Sequence, residues 1–252
     1  MSQRENELAD RVAVVTGAGR NIGRAIALDL AAAGAAVVVN ARANRAEAET
    51  VAREIEEKGG RALALLADVA DAAAVANMMQ KTAEHFGRID ILVNNAALRR
   101  EQPLADMNFA DWREILGVVL DGAFHCVKAA LPHLRASGAG AVVNIGGLSA
   151  HTGAAKRAHV VTAKAGLAGF SRALAHELAA DRVTVNCVAP GLIATARGPG
   201  APEPSHHEIY RTLTGERGAP GDIAATVRFL CGPDARYITG QTFHVNGGAF
   251  LG

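Results

Sequence analysis

Lys164 is the first residue of this chain that demands a chemical account. It is the only formal charge between Arg157 and Arg172, set among Val160, Val161, Ala163, Ala165 and Leu167. A lysine is rarely buried without a partner, so it either snorkels from a helix into water or faces a cleft and holds a ligand. Groups able to hold or give up a proton precede it at Ser149, His151 and His159. An imidazole titrates near neutrality, and a serine hydroxyl can donate to a substrate oxygen. A second cluster is Thr16-Gly17-Ala18-Gly19-Arg20-Asn21-Ile22-Gly23. Its glycines permit a tight turn, and a helix opening there offers free N–H groups and a positive dipole end to a pyrophosphate. The spacing is GxGxxxG, one residue longer than the dinucleotide fingerprint.

The elements that must position these residues follow from periodicity. Apolar β-branched runs at 12–15, 36–39, 62–66, 89–93, 141–145, 183–188 and 243–245 read as strands. Helical patterns lie between them at 22–33, 45–58, 72–86, 109–134 and 223–230, and through Leu167, Phe170, Leu174 and Leu178. The 109–134 stretch reads as one long helix with Trp112, Leu116, Val119, Ala123, Val127 and Leu131 on its apolar stripe. Strand–helix alternation with two-sided apolar strands predicts an α/β fold of Rossmann type: a doubly wound parallel sheet of about seven strands with helices on both faces. Residues 1–252 are expected to form one domain, with the Pro- and Gly-rich segment 195–215 as a substrate lid. His159 lies about 140° from Lys164 around a helix containing both, so it reaches the lysine only if that helix begins after it.

Composition narrows the function classes. Half of the 252 residues are hydrophobic and only 4% aromatic, which implies a core of small side chains. The net charge is +1, with 26 basic and 25 acidic residues interspersed, which argues against nucleic acid as partner. Cys126, Cys187 and Cys231 are far apart and lack metal-ligand spacing, so they read as reduced core residues and no metal is expected. The polar start MSQRENELAD and the lack of a long apolar run lead to the expectation of a soluble, cytoplasmic protein without a membrane partner.

Over nearly its whole length the sequence resembles the short-chain dehydrogenase/reductase family. The glycine turn is similar to that family's TGxxxGxG, Asp68-Val69 to its adenine-contacting Asp, and Asn94-Asn95-Ala96-Ala97 to its NNAG segment. Pro190-Gly191-Leu192-Ile193-Ala194-Thr195 resembles its PGxIxT, and Gly240-Gln241 with Asn246-Gly247-Gly248 its C-terminal end. The resemblance implies a nicotinamide dinucleotide held by Gly17, Gly19, Arg20, Asn21, Ile22, Gly23, Arg42, Asp68, Val69, Asn95, Ala96, Lys164, Pro190, Gly191 and Ile193. Asn21 replaces the usual middle glycine and Ala97 the last one of NNAG; asparagine tolerates positive φ, so Asn21 is expected to keep the turn and crowd the pyrophosphate. Ala41 stands where NAD-preferring relatives place Asp, with Arg42 beside it and Arg20 in the turn. A 2′-phosphate needs a cation and no carboxylate, so NADP(H) is favoured over NAD(H).

The resemblance also implies a catalytic tetrad, of which Lys164 matches the lysine that binds the nicotinamide ribose. The tyrosine position is Val160, the serine position Gly147 and the asparagine position Val119; the tyrosines, Tyr210 and Tyr237, lack a lysine four residues on. His159, His151 and Ser149 are the candidate substitutes, His159 foremost, and Arg99 and Arg100 suit a carboxylate or phosphate on the substrate. The function expected is an NADP(H)-dependent oxidoreductase that reduces a carbonyl, imine or activated C=C bond in a small polar substrate with a non-standard proton donor. The alternatives are an NADP(H)-binding protein without redox turnover, a sensor or pseudoenzyme, and a lyase or isomerase on the same fold. Relatives pair through their fourth and fifth helices, which implies a homodimer or homotetramer.

Overall fold

The computed structural model describes residues 6–196 and 211–252. Seven strands form one sheet: β1 (Val12–Val15), β2 (Ala36–Ala41), β3 (Arg61–Leu66), β4 (Ile91–Asn94), β5 (Ala141–Ile145), β6 (Thr184–Pro190) and β7 (Thr242–Val245). All pairings are parallel and the order is β3-β2-β1-β4-β5-β6-β7. This is the doubly wound arrangement expected from the alternation. The direction of sheet growth reverses between β1 and β4, which opens a crevice at the carboxyl ends of those strands. Most of the segment expected to act as a lid, residues 197–210, lies outside the described residues.

Side chains from the two faces of the sheet bury in separate layers. One layer joins α1 (Asn21–Ala32), α2 (Arg45–Glu57) and α8 (Pro220–Cys231) to the sheet through Ile26, Leu30, Val51, Ile55 and Val227. The other joins α3 (Ala72–Phe86), α5 (Gly122–Ala136) and α7 (Ala158–Glu177) through Met78, Met79, Cys126, Leu134 and Leu174. Between α4 (Phe109–Leu116), α5 and α7 sits a smaller apolar cluster of Ile115, Val119, Ala123, Val160, Ala163 and Leu167. Helix starts are set by local chemistry: the Asn44, Asp71 and Asn108 side chains accept from first-turn N–H groups of α2, α3 and α4. Cys126, Cys187 and Cys231 are buried free thiols.

The expected single helix over 109–134 is corrected in its register. Residues Gly117–Asp121 form a π turn between α4 and α5, and a wider turn advances the side-chain face. Consequently Ile115, Cys126, Ala130 and Leu134 are buried, whereas Trp112, Leu116 and Leu131 are only half-buried. The helical stretch Phe109–Ala136 has 28 residues and contains an 18-residue window of mean hydropathy 1.5, long and apolar enough to cross a membrane. In this fold its buried residues pack into the two clusters just described.

The amino ends of the central strands are tied together by polar groups. The buried Asp90 carboxylate accepts from the Val12 N–H at 2.9 Å, from the Arg88 guanidinium at 2.7 and 2.8 Å, and from the Ser137 hydroxyl. Arg11 spans the same edge and donates to the Ala139 carbonyl at 2.6 Å.

Candidate active site

The glycine turn between β1 and α1 is held from below by the end of β4. The Asn95 amide donates to the carbonyls of Thr16 and Gly17 at 2.9 and 3.0 Å. The Thr16 hydroxyl accepts from the N–H groups of Asn95 and Ala96 at 2.9 and 3.0 Å. Gly17 adopts φ +62, and a Cβ on Gly23 would stand 2.3 Å from the Gly17 carbonyl oxygen and 2.5 Å from Asn95 Nδ2. No side chain fits there. Unlike α2, α3 and α4, α1 has no side-chain cap, and its first turn holds no acidic residue. Its first N–H groups lack intrahelical partners and face the mouth of the crevice, which is the chemistry of an anion seat.

The flanks of that seat carry the expected cations. Arg20 and Arg42 are both exposed, with Ala41 closing β2, and neither makes an ion pair among the described residues. Sequence reasoning missed Glu47, whose carboxylate oxygen lies 3.4 Å from the place a Gly19 Cβ would occupy. Asp68 accepts from the Ala70 N–H at 3.0 Å, and the Val69 side chain is buried in the core. Pro190 accepts from the Leu148 N–H, Gly191 donates to the Val245 carbonyl, and Ile193 is buried beside Gly218.

Asn21 departs from expectation in one respect. Its φ is +50, so it does keep the turn. Its side chain, however, is engaged across the crevice. Nδ2 donates to the Ala196 carbonyl at 3.0 Å, and Oδ1 accepts from the Ala196 N–H at 2.9 Å.

Lys164 lies in α7 and is 8% exposed, with its Nζ donating to the Ile145 carbonyl at the end of β5. Burial first, and then Arg99 and Arg157 in electrostatic reach, push its amine down to about 7 against an opposing contribution from Cys187. One helical turn earlier, Val160 is 2% exposed and packs in the same cluster as Val119. Gly147 faces open space: a Cβ there would meet nothing within 4 Å. Behind the lysine runs a buried chain in which Asn94 donates to Asn144 at 2.8 Å, Asn144 to Ser171 at 2.9 Å, and Ser171 to the Leu167 carbonyl at 2.8 Å.

The candidate proton carriers are scattered. α7 begins at Ala158, so His159 rides inside the helix, and the condition for its reaching Lys164 is not met. It is fully buried, with Nε2 lacking a hydrogen bond, and its charged surroundings are Arg100, Arg157 and Asp111. Ser149 is buried at the start of α6 (Ser149–Thr152). His151, on the same short helix, packs edge-on against His244 with ring centroids 4.5 Å apart and lies 5.7 Å from Phe250. Burial, then His244 and Arg172, lower its pKa. Neither His244 nor Phe250 was singled out from sequence, because nothing local marks a strand residue as the neighbour of a loop 90 residues earlier. Arg100 is ion-paired with Asp111 and Glu114 at 3.0 and 2.8 Å, and Arg99 lies in electrostatic reach of Lys164.

Known proteins resemble this chain over almost its full length. The profile of a family described as enoyl-(acyl carrier protein) reductase, adh_short_C2, matches residues 17–249. A 3-oxoacyl-[acyl-carrier-protein] reductase of Synechocystis is 42% identical over 246 residues, 97% of this chain and 98% of the relative. A (2S)-[(R)-hydroxy(phenyl)methyl]succinyl-CoA dehydrogenase subunit of Thauera aromatica is 41% identical over 248 residues, 97% and 98% of the two chains. Among solved structures, a short-chain dehydrogenase from Burkholderia cenocepacia in complex with NADP superposes with a TM-score of 0.90 at 37% identity, covering 97% of this chain and 99% of the other.

Proposed function

This chain belongs to the short-chain dehydrogenase/reductase family of oxidoreductases, and on that premise we propose that it is an NADP(H)-dependent reductase working without the family's tyrosine acid. Its substrate is a small polar molecule carrying a carbonyl, an imine or an activated C=C bond. The observation that carries the reading is the uncapped, acid-free start of α1 behind the glycine turn, flanked by exposed Arg20 and Arg42. Those residues fit a dinucleotide. The α1 N–H groups suit its pyrophosphate, the two arginines suit a 2′-phosphate, and by the family resemblance Asp68 would contact the adenine and Lys164 the nicotinamide ribose. Ala41 removes the carboxylate that selects a free 2′-hydroxyl. The bound cofactor supplies a hydride to the substrate. The chain's own part is to orient the two partners, exclude water and provide a proton. The chain acts as one domain, and His151 and Ser149 border the substrate side.

A second reading has its own support. Val119 and Val160 occupy the positions of the family's asparagine and tyrosine, and they pack against each other's neighbours in one apolar cluster. General acid catalysis contributes roughly 10²–10⁴-fold, so its loss favours a protein that binds NADP(H) without turning over. Two relatives of nearly equal identity carry different substrate names, so substrate choice rests on experiment. NADPH binding is followed by fluorescence, and its oxidation against a panel of ketones, 3-oxoacyl thioesters, imines and enones. Tight NADPH binding with turnover on one class is expected. Binding without turnover on any class transfers the case to the second reading, and no binding defeats both.

A further inference from the structure

Resting on that cofactor reading, we propose that Lys164 itself delivers the proton to the substrate oxygen, with neither histidine required. The geometry narrows the choice. His159 is turned into α7's buried side towards Arg100 and Asp111, and His151 packs against His244 and Phe250. Lys164 instead ends at the carboxyl edge of β5, with the open space of Gly147 two residues beyond its Ile145 acceptor. Valine at position 160 is shorter than a tyrosine and its methyl groups bury in an apolar cluster, so position 160 places no hydroxyl between the amine and a substrate at that edge.

The charge pattern explains how such an amine works as an acid. The groups acting on Lys164 are Arg99 from the loop after β4, the Cys187 thiol of β6 and Arg157 at the start of α7. A buried ammonium with guanidiniums in electrostatic reach gives up its proton readily. A dinucleotide seated beside it brings hydroxyl acceptors and negative charge, which favour the charged form. The lysine therefore takes up a proton as the cofactor docks and surrenders it during the reaction. In that step the carbonyl carbon gains a hydrogen with its electron pair from the reduced nicotinamide, and the C–O π pair moves to oxygen. The Nζ–H bond breaks as the O–H bond forms, leaving Lys164 a neutral amine and the product an alcohol.

The test compares wild type with Lys164→Arg, which keeps a permanent charge, and Lys164→Gln, which keeps none and serves if the arginine variant misfolds. NADPH binding is measured by calorimetry at pH 8 in two buffers of different ionisation enthalpy. Wild type is expected to take up a substantial fraction of one proton per site and both variants none. In turnover, wild type is expected to lose activity as pH rises, and either variant to fall at least ~100-fold while the arginine variant keeps NADPH affinity within severalfold. Equal proton uptake in a variant, or turnover retained with an unchanged pH profile, overturns the proposal. So does wild-type binding with uptake but no turnover on the substrate panel, an outcome that leaves the cofactor reading intact. Failure of wild type to bind NADPH defeats that reading itself.

Discussion

Replacing Lys164 by methionine removes an amine whose acceptor is a main-chain carbonyl and keeps most of its volume. The folded amine titrates near 7, against about 10.4 in an unfolded chain. Below pH 7 both states carry the proton, and the folded protein bears the full cost of burying charge. Between the two values the unfolded chain holds a proton that the folded one lacks, so wild-type stability rises with pH. Lys164→Met is therefore expected to raise Tm most below pH 7, with the gain shrinking towards pH 10, as thermal melts across that range would show. At the other end of the crevice, Ala41→Asp places a carboxylate beside the arginines proposed to serve the 2′-phosphate. It is expected to weaken NADPH binding at least tenfold, about 1.5–3 kcal/mol for charged hydrogen bonds, while NADH binding improves; fluorescence titration with both dinucleotides decides it. Lys164 was legible in sequence because a single charge in an apolar run is conspicuous. The ion pairs of Arg100 were not, since Asp111 and Glu114 are partners that only the fold brings near.

Strands and helices were readable because burial on two sides or one leaves a periodic trace, and all seven strands fall within two residues of where the apolar runs put them. The π turn at Gly117–Asp121 left no such trace. An apolar stripe records a face and not the hydrogen-bond ladder beneath it, so the long helix looked regular and half of its stripe was misassigned. The buried chain Asn94–Asn144–Ser171 was equally hidden, because each of its polar residues sits inside an otherwise apolar element. It couples β4, β5 and α7, the three elements that converge behind Lys164. Ser171→Ala leaves the Asn144 amide without its partner in a dry interior and is expected to cost about 1–3 kcal/mol, measurable as a lower urea midpoint. Its effect on NADPH affinity follows from any shift of α7 against β5.

At the scale of the molecule, the two ends of the sheet have divided their duties. The carboxyl ends face the crevice, while the amino ends are closed by the Asp90 cluster. Burial alone would push the Asp90 carboxyl up, but hydrogen bonds from Arg88, Ser137 and the Val12 N–H outweigh it and hold the group below its ordinary value. A depressed folded value stabilises the protein above about pH 4, and that stabilisation disappears as pH falls through the folded value. Asp90→Asn is expected to cost about 2 kcal/mol at neutral pH and progressively less in acid, which denaturant midpoints at pH 7 and pH 3 would separate. The crevice end has its own tie, the paired hydrogen bonds between the Asn21 amide and the Ala196 peptide, 175 residues away. If the dinucleotide lies on the α1 N-terminus as proposed, the clasp would have to open for it to enter and leave, and its residence time would follow how often those two hydrogen bonds open together. Asn21→Gly keeps the backbone φ and cuts the clasp. Stopped-flow measurements should then show NADPH entering and leaving faster with little change in Kd, and an enzyme whose turnover waits on product release would run faster once unclasped.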